Sequence, residues 1–141
     1  MIHFYNKDRK EIMVLRNFSF DDIGEPRINF YADISYAIYK ASRYISDFKV
    51  YFDKFLKELG LLYDGKIKAT QLIPLERMLE IYFEQMEYGH ILVTIKLNHF
   101  NMDYAMLQSM LLIKYEIDQS FLPELIEEIS AVLNNGTNIL K

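Results

Sequence analysis

The chain has no cysteine and no tryptophan, five glycines, three prolines and no long apolar run. Without cysteine, disulfide stapling and thiolate chemistry are both excluded. That is compatible with a reducing compartment but does not require one. The glycines stand singly, so there is no Gly-rich loop to cradle a phosphate. No window approaches the roughly 20 apolar residues that a membrane-crossing helix needs. The opening Met1-Ile2-His3-Phe4-Tyr5-Asn6-Lys7-Asp8 lacks the basic start and apolar stretch of a signal peptide. A cytoplasmic protein without a membrane partner is therefore expected. Positive charge is also short, since 16 Lys plus Arg against 20 Asp plus Glu leave a net −4. Phosphate backbones need clustered Lys and Arg, so no nucleic-acid partner is expected, and a basic protein surface suits this balance better.

What the chain has in quantity is apolar and aromatic material: 51% of its 141 residues are hydrophobic, including 11 Tyr and 10 Phe. That is enough to fill one core, and no Pro/Gly/Ser-rich linker divides the sequence. A single domain over residues 1–141 is expected.

Hydrophobic spacing suggests the order of elements. Residues 2–6 and 11–18 read as a hairpin across the polar Lys7-Asp8-Arg9-Lys10 turn, with Met13 and Leu15 on one face and Ile12, Val14 and Phe18 on the other. A loop follows at Asp21-Asp22-Ile23-Gly24-Glu25-Pro26. From Ile28 the even positions Phe30, Ala32, Ile34, Tyr36 and Ile38 keep one apolar face, as in a long or bent antiparallel strand with one wet side. Ser46 or Asp47 then caps a helix whose stripe is Phe48, Phe52, Phe55, Leu56 and Leu59, with Gly60 as terminator. Strands are expected over 66–72, 78–87, 91–97 and 107–117. A final helix carries Leu122, Leu125, Ile126, Ile129, Val132 and Leu133 on one side, tolerates Pro123 in its first turn, and stops at Asn134-Asn135-Gly136. Helices do not alternate one-for-one with strands. The expected class is therefore α+β: an antiparallel sheet or curved sandwich of about seven strands with two amphipathic helices packed on it. The repeated switch from strands to helix hints at two related halves.

Catalytic and metal patterns are mostly missing. His99 and Asp103 have i, i+4 spacing, but Phe100-Asn101-Met102 reads as a turn. His90 and His99 lie roughly 30 Å apart along an extended strand and cannot share an ion. No three or four ligands converge, so neither a metal nor a cofactor is expected. Ser120 beside Asp118 reads as helix capping rather than as an activated nucleophile. Glu80 and Glu84 alternate with apolar neighbours and read as solvent-facing. An enzyme is not expected.

Candidate partner-binding residues fall into three sets. Asp21, Asp22 and Glu25 form an acidic loop. Glu124, Glu127 and Glu128 cluster on the wet side of the last helix, with Glu80 and Glu84 as further exposed carboxylates; such groups steer a basic partner. Tyr31, Tyr39 and Tyr82 stand on otherwise polar strand faces, where tyrosine gives contact area at low entropic cost.

The stretch from Tyr115 through Leu133, with Asp118-Gln119-Ser120 followed by Phe121, Leu122 and a leucine/isoleucine helix, resembles the ending of WapI-type immunity proteins. These are small bacterial proteins found beside polymorphic or contact-dependent toxins. Upstream, the paired-strand region 28–45, the helix 48–59, and Leu75-Glu76-Arg77-Met78-Leu79-Glu80-Ile81-Tyr82-Phe83 followed by Gly89 and the strand 91–97 occur in the matching order. The chain departs from the group at the start of the long strand, where many members carry Trp-Leu and this one reads Ile28-Asn29-Phe30. The resemblance implies a single immunity-like domain that binds and blocks a cognate toxin domain stoichiometrically, a basic one such as a nuclease, without catalytic residues. The alternative is a small-ligand-binding or adaptor module. The residues leave open the toxin, the contact residues and the oligomeric state.

Overall fold

The computed structural model describes residues 1–100 and 108–139. Expectations placed on residues 101–107, including Asp103 and the strand start at Leu107, lie outside them. Four strands come first: β1 (Ile2–Tyr5), β2 (Glu11–Asp21), β3 (Arg27–Tyr36) and β4 (Tyr39–Phe48), followed by helix α1 (Lys49–Tyr63). The order then repeats with β5 (Ala69–Leu72), β6 (Leu79–Gln85), β7 (His90–Phe100), β8 (Gln108–Asp118) and helix α2 (Leu122–Ile139). Each set of four strands forms its own antiparallel meander, β1-β2-β3-β4 and β5-β6-β7-β8. The fold is α+β, and its two halves share one element order.

The halves interlock through their helices. Besides packing on each other, α1 lies against β5 and α2 against β1, so each helix reaches the first strand of the opposite half. Polar bonds mark both crossings: Thr70 donates to Glu58 at 2.6 Å, and the His3 amide donates to Glu128 at 3.1 Å. The shared core is aromatic. Phe52 of α1 meets Phe30 edge-on at 5.4 Å, while Phe55, one helical turn on, approaches Phe83 of the second sheet at 5.8 Å. Phe4 of β1 lies 6.4 Å from the same Phe83. One helix face thus joins both sheets, and these rings are almost wholly withdrawn from water.

The described residues form eight strands rather than seven because residues 28–45 fold back on themselves. Tyr36 pairs with Tyr39 across the two-residue turn Ala37-Ile38, where Ala37 has φ 56°. The turn contains none of the Gly, Asn or Asp that usually permit positive φ, so no sequence signal marks it. It also changes the phase: Ile28, Phe30, Ala32 and Ile34 face inward on β3, and Asp47, Ile45, Arg43 and Ala41 are their respective inward partners on β4. Ile38, expected on the apolar face, stands 89% exposed at the tip. A second phase change occurs in β2. Asn17 has φ 56°, and pairing jumps from Arg16↔Tyr31 to Ser19↔Asn29. This bulge turns Phe18 onto the core face with Met13 and Leu15, stacked on Phe30 at 5.5 Å, rather than onto the opposite face with Val14.

The helix ends also depart from expectation. Phe48 closes β4 and flanks α1 without a side-chain cap. Asp47 is buried and accepts from the Leu75 amide instead of capping the helix. Gly60 lies inside α1. The chain leaves the helix at Gly65 (φ 75°), where Gly65 N–H bonds Leu62 C=O at 3.1 Å and Lys66 N–H bonds Leu61 C=O at 2.9 Å. These two bonds make a Schellman terminus, and its left-handed residue suits glycine. At α2, Asp118 accepts from Ser120 N–H at 2.9 Å, capping a short 3-10 turn that leads into the helix. Pro123 sits in the first turn, and α2 continues through Asn134-Asn135-Gly136. Among the described residues no helix is long and apolar enough to cross a membrane.

Candidate functional site

Strand alternation gives the first sheet a second face, directed away from α1. Three rows of paired residues build its centre: Arg16–Tyr31–Tyr44, Val14–Asp33–Ser42 and Ser19–Asn29–Ser46. Tyr31 and Tyr44 meet edge-to-face at 5.2 Å and remain 37% and 54% exposed. The Arg16 guanidinium lies 4.9 Å from the Tyr31 ring centre and is hydrogen-bonded to Asp33, which also accepts from Ser42 at 2.6 Å. In the neighbouring row, Ser46 donates to Asn29 at 2.7 Å, and Asn29 donates to Asp21 at 3.2 Å. Toward β1 the face opens into a broad groove of about 770 Å³ whose polar lining includes His3, Glu11, Arg16, Asp33 and Lys40.

These bonds fix the chemistry of the face. The bond from Arg16, with that from Ser42, holds the Asp33 carboxyl below the usual carboxylate range despite partial burial. A carboxylate so stabilised is a weak base and is poorly suited to activating the Ser42 hydroxyl. Its role is to lock Arg16 over Tyr31. The two tyrosine rings are then held in place before any partner arrives, which reduces the entropy lost on contact.

Comparison with protein-family models, curated proteins and solved structures finds no significant match. What the chain does must therefore be argued from its own geometry.

The structure distributes the expected binding residues rather than gathering them. Tyr31 belongs to the face just described, and Asp21 borders it through Asn29. Asp22 and Glu25 are exposed in the adjoining loop beside Ile23, which is 93% exposed. Tyr39 lies at the far end of the same sheet, at the β3–β4 tip, and is 55% exposed. Glu80, Tyr82 and Glu84 are on the outer face of the second sheet. There Glu84 is exposed but Glu80 is not solvent-facing: it is buried, bonded by the Tyr82 hydroxyl and by Asn98 at 2.8 Å. Burial raises the Glu80 pKa, but the Tyr82 and Asn98 bonds with nearby Lys96 and Arg77 outweigh it and leave the carboxyl below its ordinary value. Burial, followed by the Glu80 interaction, pushes Tyr82 up to about 12. Both groups hold fixed protonation states near neutrality, as structural groups do.

On α2, Glu124 and Glu127 are exposed and Glu128 is half-buried, and Glu124 and Glu128 both reach the first sheet's half of the molecule. Glu124 pairs with Arg9 at 2.9 Å, and Glu128 meets His3 Nδ1 at 2.6 Å. Of the three, Glu128 is engaged within the fold, while Glu124 stays about half exposed in its pair with Arg9. Between β1, β8 and α2, with Phe4, Phe83, Tyr115 and Phe121 in its walls, remains a space of about 20 Å³. That is room for a single water and not for a metabolite. His99 bonds Arg43 at 3.1 Å, and among the described residues no three His, Cys, Asp or Glu converge as a metal site.

Sequence reasoning missed Tyr44, Arg16, Asp33 and Ser42. Tyr44 falls in phase with Ile34 and Ile38 if residues 28–45 are read as one strand. Recognition of the Ala37-Ile38 turn would have placed it opposite Tyr31.

Proposed function

We propose that this chain is a stoichiometric protein-binding protein whose first sheet docks a partner on its open face. The supporting observation is the Tyr31–Tyr44 pair, exposed yet fixed by Arg16, Asp33 and Ser42 while both helices and the second sheet pack elsewhere. Prearranged tyrosines beside an arginine are the residue types that concentrate binding energy in protein interfaces. In keeping with the WapI-type resemblance, the partner is a toxin domain that the chain blocks in the cytoplasm by occlusion rather than by chemistry. Asp22 and Glu25, beside the protruding Ile23, favour approach of a basic surface.

A toxin domain encoded beside this chain is the expected partner, and the test is co-expression with it. Cells survive, and the two chains copurify at equal stoichiometry. Continued killing at matched expression, with no complex isolated, refutes the proposal.

A further inference from the structure

Each sheet has one short edge strand and one long one. The short strands, β1 and β5, have four residues each and are crossed by the opposite half's helix through the Glu128 and Glu58 bonds. The long edge of the first sheet is β4, ten residues paired with β3 without interruption from Arg27↔Phe48 to Tyr36↔Tyr39. The two-residue turn makes Tyr36 and Tyr39 a hydrogen-bonded pair, so the N–H and C=O groups of Ser42, Tyr44 and Ser46 point away from β3. Among the described residues, nothing but β3 bonds the backbone of residues 40–46.

Edge strands are normally guarded by proline, a bulge, outward charges or a covering element. Among the described residues, the row Ser42–Tyr44–Ser46 has none of these, and the exposed Lys40 stands only at its turn end. The long edge of the second sheet differs, since β8 carries exposed Lys114, Glu116 and Asp118 along one half. Arg43 adds an independent observation on the inward side of β4. Its guanidinium bonds His99 Nδ1 at 3.1 Å and the Met78 sulfur at 3.3 Å, and its Nε has no partner among the described residues. Among the described residues no carboxylate lies within ion-pair distance of it.

We propose that the partner protein adds a β-strand to the β4 edge, its backbone pairing with Ser42, Tyr44 and Ser46 and an acidic side chain facing Arg43. This deepens the binding reading above and rests on it. Backbone pairing supplies the affinity, and the acidic residue fixes the register by compensating a cation that has no counter-charge among the described residues. The side chain of Tyr44 and the edge amide of the same residue thereby join the sheet face and the sheet edge into one interface.

The experiment uses the complex with the proposed toxin-domain partner. Amide exchange is measured on the free chain and on the complex. The Ser42, Tyr44 and Ser46 amides exchange freely in the first and become protected in the second, while those of Ala41, Arg43 and Ile45 are protected by β3 in both. Tyr44→Pro removes an outward N–H and lowers affinity about tenfold or more below Tyr44→Ser, which keeps it. Arg43→Gln also lowers affinity about tenfold. A complex that forms without new protection at the three amides overturns the strand proposal and leaves the binding reading standing. Protection that already develops in the free chain at high concentration assigns the edge to a second copy and overturns it as well. No complex at all sinks both.

Discussion

Asp47 offers the most quantitative prediction, because it is an acid placed where water cannot reach it. The side chain is 2% exposed on the inward side of β4. One oxygen accepts from Leu75 N–H at 3.3 Å, and the other has no partner among the described residues. Burial pushes its pKa up from 3.8 to about 6, against the opposing pull of the Phe48 and Leu75 amides and the Arg27 charge. A folded-state pKa above the unfolded value means that the folded chain holds the proton more tightly. The associated stability is fully present below the unfolded pKa and is lost as pH rises through the folded one. For a displacement of this size the loss between about pH 4.5 and pH 7.5 is about 2 kcal/mol. Asp47→Asn keeps the acceptor for Leu75 but cannot ionise. Urea unfolding across that range should therefore show the wild type losing about 2 kcal/mol more than Asp47→Asn, a midpoint difference of about 1 M. Comparing slopes with pH cancels whatever constant cost the unpaired amide nitrogen adds. A difference between the two proteins that is flat with pH would refute the reasoning.

Three further outcomes follow from packing and backbone geometry. Phe83→Ala removes the ring that joins β1, α1 and the second sheet, and should cost about 3–5 kcal/mol in denaturant unfolding. The glycines at the end of α1 should respond with opposite signs. A methyl group at Gly60 meets no atom within 4 Å, so Gly60→Ala should stabilise by about 1 kcal/mol, whereas Gly65→Ala should lose about as much, because its φ of 75° is unfavourable to any side chain. Ser42→Ala, which frees Asp33 of one bond, should leave global unfolding within about 1 kcal/mol of wild type yet weaken partner binding, measured calorimetrically, by loosening Arg16 over Tyr31.

Much of the fold was readable because burial imposes periodicity. The three-and-four spacing of Phe52, Phe55 and Leu59, and of Leu122, Leu125 and Ile129, marked both helices. The alternation of Leu79, Ile81 and Phe83 and of Ile91, Val93 and Ile95 marked two central strands. Asp118 and Pro123 acted in the α2 capping region as their chemistry suggests. Misreadings arose where backbone geometry changed phase without a clear local signal. Ala37 adopts positive φ in a turn without Gly, Asn or Asp, and Asn17, a residue type that tolerates positive φ, stands alone within a strand-like run, so the β3–β4 turn and the β2 bulge went unseen. Tyr44 vanished from the candidate site with them. The contacts of the α2 glutamates were not legible for another reason: the partners of Glu124 and Glu128, Arg9 and His3, lie 115 and 125 residues away, a distance that no local pattern spans. Glu80 looked solvent-facing because alternation shows which face a residue joins, but not whether Tyr82 and Asn98 close over it.

The central claim is that exposed aromatic surface on the first sheet, and not chemistry in a pocket, carries the function. Titration of the proposed toxin-domain partner into Tyr31→Ala/Tyr44→Ala, with Lys114→Ala/Glu116→Ala on the second sheet as control, tests it most directly. Loss of about 2 kcal/mol or more of binding energy in the tyrosine double variant, with the control near wild type, is the expected result. Equal affinity for the tyrosine double variant and the wild type would contradict it.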